Sequence, residues 1–291
     1  MQIFKSVIAT AALVLSVSCS NKTNQDKTVL AVSIEPQRQI LEQLAGPGFD
    51  VVTILGQGAD PENFDPSTSQ RLALDNADIY FPTGVLPFEK TLKESLGSNT
   101  AYVPTIGETE LIYGNHGHGH GTEACGHHHE MAVDPHYWSS FEGAGNIASI
   151  MYKTLSEEYP DIKDGLTERY TQFNDSLAEL RDKVSETLGK AKRRTFAVWH
   201  PSLSYFAREF ALEQLPLGVE GKDLSAKALA EAIDHAKADS VEVFFFQPGI
   251  DSRQAEIMSQ GIGSRLVSVN LLDYFWQDQL KLIADEIAGA Q

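Results

Sequence analysis

The sequence predicts an α/β protein made of two parallel-sheet lobes joined by one long rigid helix. Three observations lead there. Short apolar runs alternate with helical patterns from residue 29 to 106, and the same alternation resumes from 195 to 288. Between them, residues 161–188 carry apolar side chains at Ile162, Leu166, Tyr170, Phe173, Leu177, Leu180, Val184 and Leu188. Steps of three and four keep these on one helical face. Alternating strands and helices argue for parallel sheets with helices on their faces.

Residues 29–34 (V-L-A-V-S-I) read as a buried strand, and Pro36 opens a helix through Leu44 that Gly46-Pro47-Gly48 stops. Residues 49–55, 77–81 and 101–106 read as further strands, with helices at 70–76 and 87–96. The segment 114–130 breaks the pattern, and a helix follows at 142–155. Beyond the long run, Gly189 marks its stop. Strands at 195–199, 214–219, 241–246 and 265–271 then alternate with helices at 204–211, 225–237, 253–260 and 276–288. The expected organisation is a lobe over 29–160 with a His-rich loop at 114–130, a linking helix over 161–189 and a second lobe over 190–291. A ligand site in such an architecture is expected between the lobes, at the carboxyl ends of strands.

With 291 residues, 42% hydrophobic and 22% charged, the chain has the composition of a folded protein rather than a disordered one. The net charge of −17 repels phosphate backbones and argues against a nucleic-acid partner. Its two cysteines, Cys19 and Cys125, sit in settings too different to read as a disulfide pair.

Residues 1–19 carry Lys5 and then an apolar stretch from Val7 to Val17, too short to span a bilayer but suited to an export signal. It ends L-S-V-S-C, similar to a bacterial lipobox with Cys19 as the lipidated residue, although Ser16 stands where such motifs usually carry Leu. Residues 20–28 are polar and read as a tether. The expected location is the periplasm or cell envelope, lipid-anchored to a membrane.

Six of the nine histidines lie between residues 116 and 129: His116, His118, His120, His127, His128 and His129, interleaved with glycine. Imidazole suits zinc, copper and nickel, but a glycine-rich loop that satisfies several geometries binds weakly, so this reads as a secondary metal segment. His136 and His200 are isolated, and either alone is more often structural than a ligand. His235, on a charged helix, reads as a surface residue. The loop 57–68 follows a strand and offers Asp60, Glu62 and Asp65 to a cation or to acidic turns. Asp273, alone, reads as a helix cap. Glu62, His136, His200 and Asp273, two from each half, would together clamp one divalent cation.

Residues 58–66 (G-A-D-P-E-N-F-D-P), 134–138 (D-P-H-Y-W) and 199–212 (W-H-P-S-L-S-Y-F-A-R-E-F-A-L) give the chain a resemblance to the metal-specific solute-binding proteins of bacterial ABC transporters, the zinc and manganese group. The resemblance covers about residues 29–288. It implies two α/β lobes on a long rigid helix, and a metal held between them by Glu62, His136, His200 and Asp273. It also implies delivery of zinc, with manganese or iron as alternatives, to an ABC permease by a monomer that is not an enzyme. Glu62 stands where that family carries histidine, which makes the ligand set harder and zinc preference less secure. Gln247-Pro248 replaces a frequent Glu-Pro. Rival readings are a zinc hydrolase, for which no H-E-x-x-H or G-x-S-x-G motif is present, and a surface adhesin.

Overall fold

The computed structural model describes residues 27–56, 58–114, 132–218, 224–247 and 252–289. The first half runs β1 (Thr28–Val32), α1 (Glu35–Ala45), β2 (Phe49–Thr53), α2 (Thr68–Asp75), β3 (Ile79–Phe81), α3 (Pro87–Ser95) and β4 (Ala101–Tyr102). A two-stranded antiparallel ladder, β5 (Tyr113–Gly114) with β6 (Ala132–Val133), flanks residues 115–131. Helix α4 (Phe141–Glu158) and the long α5 (Lys163–Leu188) follow. The second half runs β7 (Thr195–Val198), α6 (Ser204–Glu209), β8 (Glu213–Pro216), α7 (Ala226–Ala238), β9 (Val243–Phe246), α8 (Ser252–Ile262), β10 (Arg265–Ser268) and α9 (Trp276–Ala288).

Both four-stranded sheets are parallel, ordered β2-β1-β3-β4 and β10-β9-β7-β8. Read from its other edge, the second sheet is β8-β7-β9-β10, so each half repeats one wiring: second strand, first, third, fourth. In such a sheet the crossovers change direction beside the first strand, and the carboxyl end of that strand faces an open crevice. In the second half that strand is β7, and Trp199 N–H extends its ladder to Phe245 O at 2.9 Å. His200 is the next residue, which places it at the mouth of the crevice.

The 26 residues of α5 span about 39 Å at 1.5 Å each. Its apolar stripe, including Leu166, Phe173, Leu177, Val184 and Leu188, is buried against α1 and α4 on one side of the chain and α9 on the other. Arg169, partly buried where α5 meets α1, caps the end of α1, donating from Nε to Leu44 O at 2.6 Å and from Nη2 to Ala45 O at 3.0 Å. One hydrophobic cluster runs without a break from Leu30 of the first sheet through α4 and α5 to Phe245 and Ile287 of the second half. A smaller cluster fills the far face of the second sheet around Trp199, Phe244 and Met258. The two sheets therefore share a core as well as a connecting helix.

The elements differ from the sequence reading at their ends. The expected strand over 101–106 has a two-residue ladder, because Pro82 just beyond β3 has no N–H to donate back, yet Val103 N–H and Thr105 N–H continue it to Tyr80 O and Pro82 O at 2.9 and 2.8 Å. Helix α6 stops at Glu209, and Ala211 at φ 51° prevents its continuation to residue 211. Helix α4 is longer than expected, from Ser140 as N-cap to Glu158.

Candidate metal centre

His136 lies in a short stem. Asp134 N–H donates to Ile112 O at 2.8 Å, and after Pro135 the chain turns through a 3-10 helix, Tyr137–Ser139. That turn is held from both halves. Tyr137 Oη donates to Thr83 O at 3.0 Å, beyond β3, while Trp138 Nε1 donates to Leu271 O at 3.2 Å, beyond β10. Asp134 Oδ1 accepts from both the backbone N–H and the ring Nδ1 of His136, each at 2.9 Å. Burial pushes the Asp134 carboxyl up, but the hydrogen bond and positive charge of His136, with help from Ser204, outweigh it and leave it below its usual value. An ionised carboxylate only accepts, so Nδ1 carries a proton, and in the neutral ring Nε2 presents the lone pair, as in most metal-ligating histidines.

Glu62 is set by its own turn. Asp60 Oδ1 accepts from Glu62 N–H at 3.0 Å and Asp60 Oδ2 from Asn63 Nδ2 at 2.6 Å. Phe64 packs edge-on against Phe88 with ring centres 5.0 Å apart, which anchors the loop to α3. Asp65 pairs with Arg71 at 3.1 Å. Asp60 and Asp65 thus shape the loop, and Glu62 is the carboxylate it offers.

Glu62, His136 and His200 each present one ligand atom, and these atoms all lie within 4.8 Å of one another. His200 Nε2 is 3.4 Å from Glu62 Oε1, and the two imidazole rings are 5.0 Å apart at 70°. His136 is buried; His200 and Glu62 are partly exposed, so the cluster opens to solvent on one side. Two nitrogens and a carboxylate oxygen converging this closely match the ligand types of zinc, with room in a tetrahedral shell for a fourth donor.

Asp273 does not join that group of atoms. Its Oδ1 accepts from Phe275 N–H at 2.8 Å, which ties the carboxylate to the turn before α9. Gln247 donates from Nε2 to Ser202 Oγ at 2.7 Å, two residues from His200. His235 lies on α7, 3.4 Å from Asp239 and half exposed. Cys19, Cys125 and the histidines at 116, 118, 120, 127, 128 and 129 fall outside the described residues.

The sequence reading missed a buried polar network beside the site. Glu89, 2% exposed, accepts from the backbone N–H groups of Thr83 and Gly84, both at 2.7 Å, of Leu86 at 3.2 Å, and from Ser33 Oγ at 2.5 Å. Burial raises its carboxyl above the usual range, with the bonds from Ser33, Thr83 and Gly84 opposing. A glutamate three positions after the Leu86 cap, behind Pro87, is a visible helix-start signal. Its links to Ser33 and Thr83 are not visible in sequence.

Residues 30–279 match the family model for the zinc-uptake complex component A, periplasmic, known as ZnuA. The chain belongs to the ZnuA family. It is 25% identical over 285 residues to the zinc-binding lipoprotein AdcA of Streptococcus pneumoniae, covering 94% of this chain and 56% of that one. It is 23% identical over 281 residues to the high-affinity zinc uptake system protein ZnuA of Bacillus subtilis, covering 91% and 87%. A crystal structure of ZnuA superimposes with a TM-score of 0.80 at 30% identity, covering 91% of this chain and 99% of that one. The chain thus spans about half the length of the AdcA proteins it matches. The two-sheet α/β fold is that of the ZnuA-type proteins. Among the described residues no helix is long and apolar enough to cross a membrane.

Proposed function

We propose that this protein captures a divalent cation, zinc, outside the cytoplasm and delivers it to an ABC permease. The observation that carries the reading is the convergence of Glu62, His136 and His200, with ligand atoms within 4.8 Å of one another, from the two halves of the chain. Membership of a family described as a periplasmic zinc-uptake component supports it.

In this reading the cation is cargo. His136 supplies Nε2, oriented by Asp134. His200 supplies a second nitrogen at the carboxyl end of β7, and Glu62 supplies oxygen. Water or Asp273 completes the shell, the latter through the carboxylate oxygen that Phe275 N–H does not hold. Two imidazoles and a carboxylate form a harder set than three imidazoles, so manganese and iron compete better here than at an all-histidine site. The imidazoles must be unprotonated to bind, so affinity falls in acid.

The rest of the proposal concerns the whole chain. Residues 1–19 direct export and Cys19 carries the lipid. Residues 20–28 tether two lobes, 29–160 and 190–291, braced by the helix over 161–189. The histidines at 116, 118, 120, 127, 128 and 129 hold additional ions weakly. The protein acts as a monomeric carrier and not as an enzyme. Elemental analysis of protein purified without added metal, for wild type and Glu62→Ala, tests the central part. One equivalent of zinc in the wild type, reduced in the variant, is expected; a metal-free wild type that also fails to take up zinc contradicts it.

A further inference from the structure

The two histidines of the candidate site come from opposite halves of the chain, and a single short helix contacts both ends of the segment that carries one of them. Helix α6 begins four residues after His200. Its Tyr205 hydroxyl donates to Asp134 O at 2.8 Å and accepts from Ile112 N–H at 3.1 Å, joining the two chains of the stem just before His136. One helical turn later, Glu209 Oε2 accepts from Phe141 N–H at 2.9 Å, at the start of α4 and just after the His136 turn. Its other oxygen, Oε1, accepts from Arg181 Nε of α5 at 2.6 Å. Tyr205 is 1% exposed and the Glu209 side chain 6%. Residues four apart lie on one helical face, so that face of α6 grips the chain at Asp134 and again at Phe141, with His136 between.

We infer that α6 is the gauge that sets the distance between His136 and His200, with Tyr205 and Glu209 as positioning residues. The inference rests on the proposed cation site and deepens it. His136 belongs by sequence to the first half, but its frame is fixed to the helix that grows out of the His200 turn. Any shift of α6 therefore acts on both imidazoles at once, while the Tyr137–Thr83 bond ties the same turn to the first half. Tyr205 acts through Asp134: its hydroxyl holds the backbone of the residue whose carboxylate fixes the His136 ring. Glu209 acts through the start of α4.

The test is zinc affinity of the full chain, measured by competition with a chromophoric chelator, for Tyr205→Phe and Glu209→Gln. Each variant is measured alone and in a His136→Ala background, and cobalt(II) visible spectra report coordination geometry. Tyr205→Phe keeps the ring and its packing, and is expected to weaken zinc binding about tenfold and to shift the cobalt bands. In the His136→Ala background the same change is expected to have less than about a twofold effect, because contacting mutations that act through one group are not additive. Glu209→Gln retains an acceptor for Phe141 N–H and is expected to show a smaller loss of the same pattern. An equal loss in both backgrounds, or Tyr205→Phe with wild-type affinity and cobalt spectrum, overturns the inference. If His136→Ala and His200→Ala bind zinc as tightly as the wild type, it is the site assignment itself that fails.

Discussion

Asp134 Oδ1 takes two hydrogen bonds from His136, one from its backbone N–H and one from its ring Nδ1, both 2.9 Å long. A single buried oxygen thereby fixes the rotamer, the tautomer and the free lone pair of the imidazole. Among the described residues Oδ2 is buried without a hydrogen-bond partner in good geometry, and Ser204 is the further group that favours the carboxylate's charge.

Asp134→Asn follows directly. The amide oxygen can still accept both bonds, but it carries no charge, so its bonds to the imidazole weaken, and its NH2 group takes the buried place of Oδ2. Zinc affinity is expected to fall about 10- to 100-fold, the usual cost of losing such a partner. Calorimetry with a competing chelator checks it, and unchanged affinity would show that Asp134 does not orient the ligand.

Gly143 packs against the His136 turn. A Cβ at this position would sit 1.9 Å from Tyr137 O, with the Ser140 cap 3.0 Å away. Gly143→Ala gains up to about 1 kcal/mol of helix propensity but forces the turn outward, and overpacking of this kind costs about 1–3 kcal/mol. The net expectation is a lower denaturation midpoint together with weaker zinc binding, since Tyr137 adjoins His136. A more stable variant with full affinity contradicts this.

Glu89 gives a pH signature. Its folded carboxyl is raised from the usual 4.5, so the folded chain holds the proton more tightly than the unfolded one. Its contribution to stability is then complete below the unfolded value and is lost as pH rises through the folded one. Glu89→Gln has one acceptor oxygen for several buried N–H groups, and an unsatisfied buried donor costs about 1–3 kcal/mol. Urea unfolding across pH should show the gap between wild type and Glu89→Gln narrowing as pH rises from 4.5. A gap that widens contradicts the sign.

Residues 115–131 lie between β5 and β6, whose pairing joins Tyr113 to Val133. Asp134 N–H then bonds Ile112 O at 2.8 Å. The stem is therefore closed independently of what lies between its strands. Replacing 115–131 with a short glycine linker is expected to remove weak zinc equivalents and leave the tightest one nearly unchanged. Loss of the tight site by calorimetry would sink that division of labour.

The fold was legible where burial imposes a period. The apolar stripe of α5 and the alternation of β1, β3, β7 and β9 with helices are local patterns of core-facing residues. His136 and His200, each of which alone reads as structural, were singled out through the D-P-H-Y-W and W-H-P motifs that carry the family resemblance, and only the fold shows that they meet. What was not legible is long-range. Tyr205 and Asp134 are 71 positions apart, and nothing in either local pattern encodes their bond. Asp273 shows the limit from the other side: its N-cap-like turn, with Oδ1 on Phe275 N–H, is what a lone aspartate before a helix does, and it stands apart from the converging ligand atoms.

The shared core also bears on release. A wide opening of the two halves would expose Trp138, Trp276 and the α5 stripe, all buried. Small-angle scattering curves of metal-free and zinc-loaded protein are expected to superimpose; a clear contraction on loading contradicts a braced pair of lobes.

The central claim is that one ion joins imidazoles from both halves of the chain. Anomalous diffraction at the zinc edge from crystals of the loaded protein tests it most directly. The expected result is one strong peak bonded to His136 Nε2 and to His200 at about 2.0–2.1 Å, with a Glu62 oxygen at about 2.0–2.2 Å. A fully occupied zinc bonded to only one of the two imidazoles, or to neither, would contradict it.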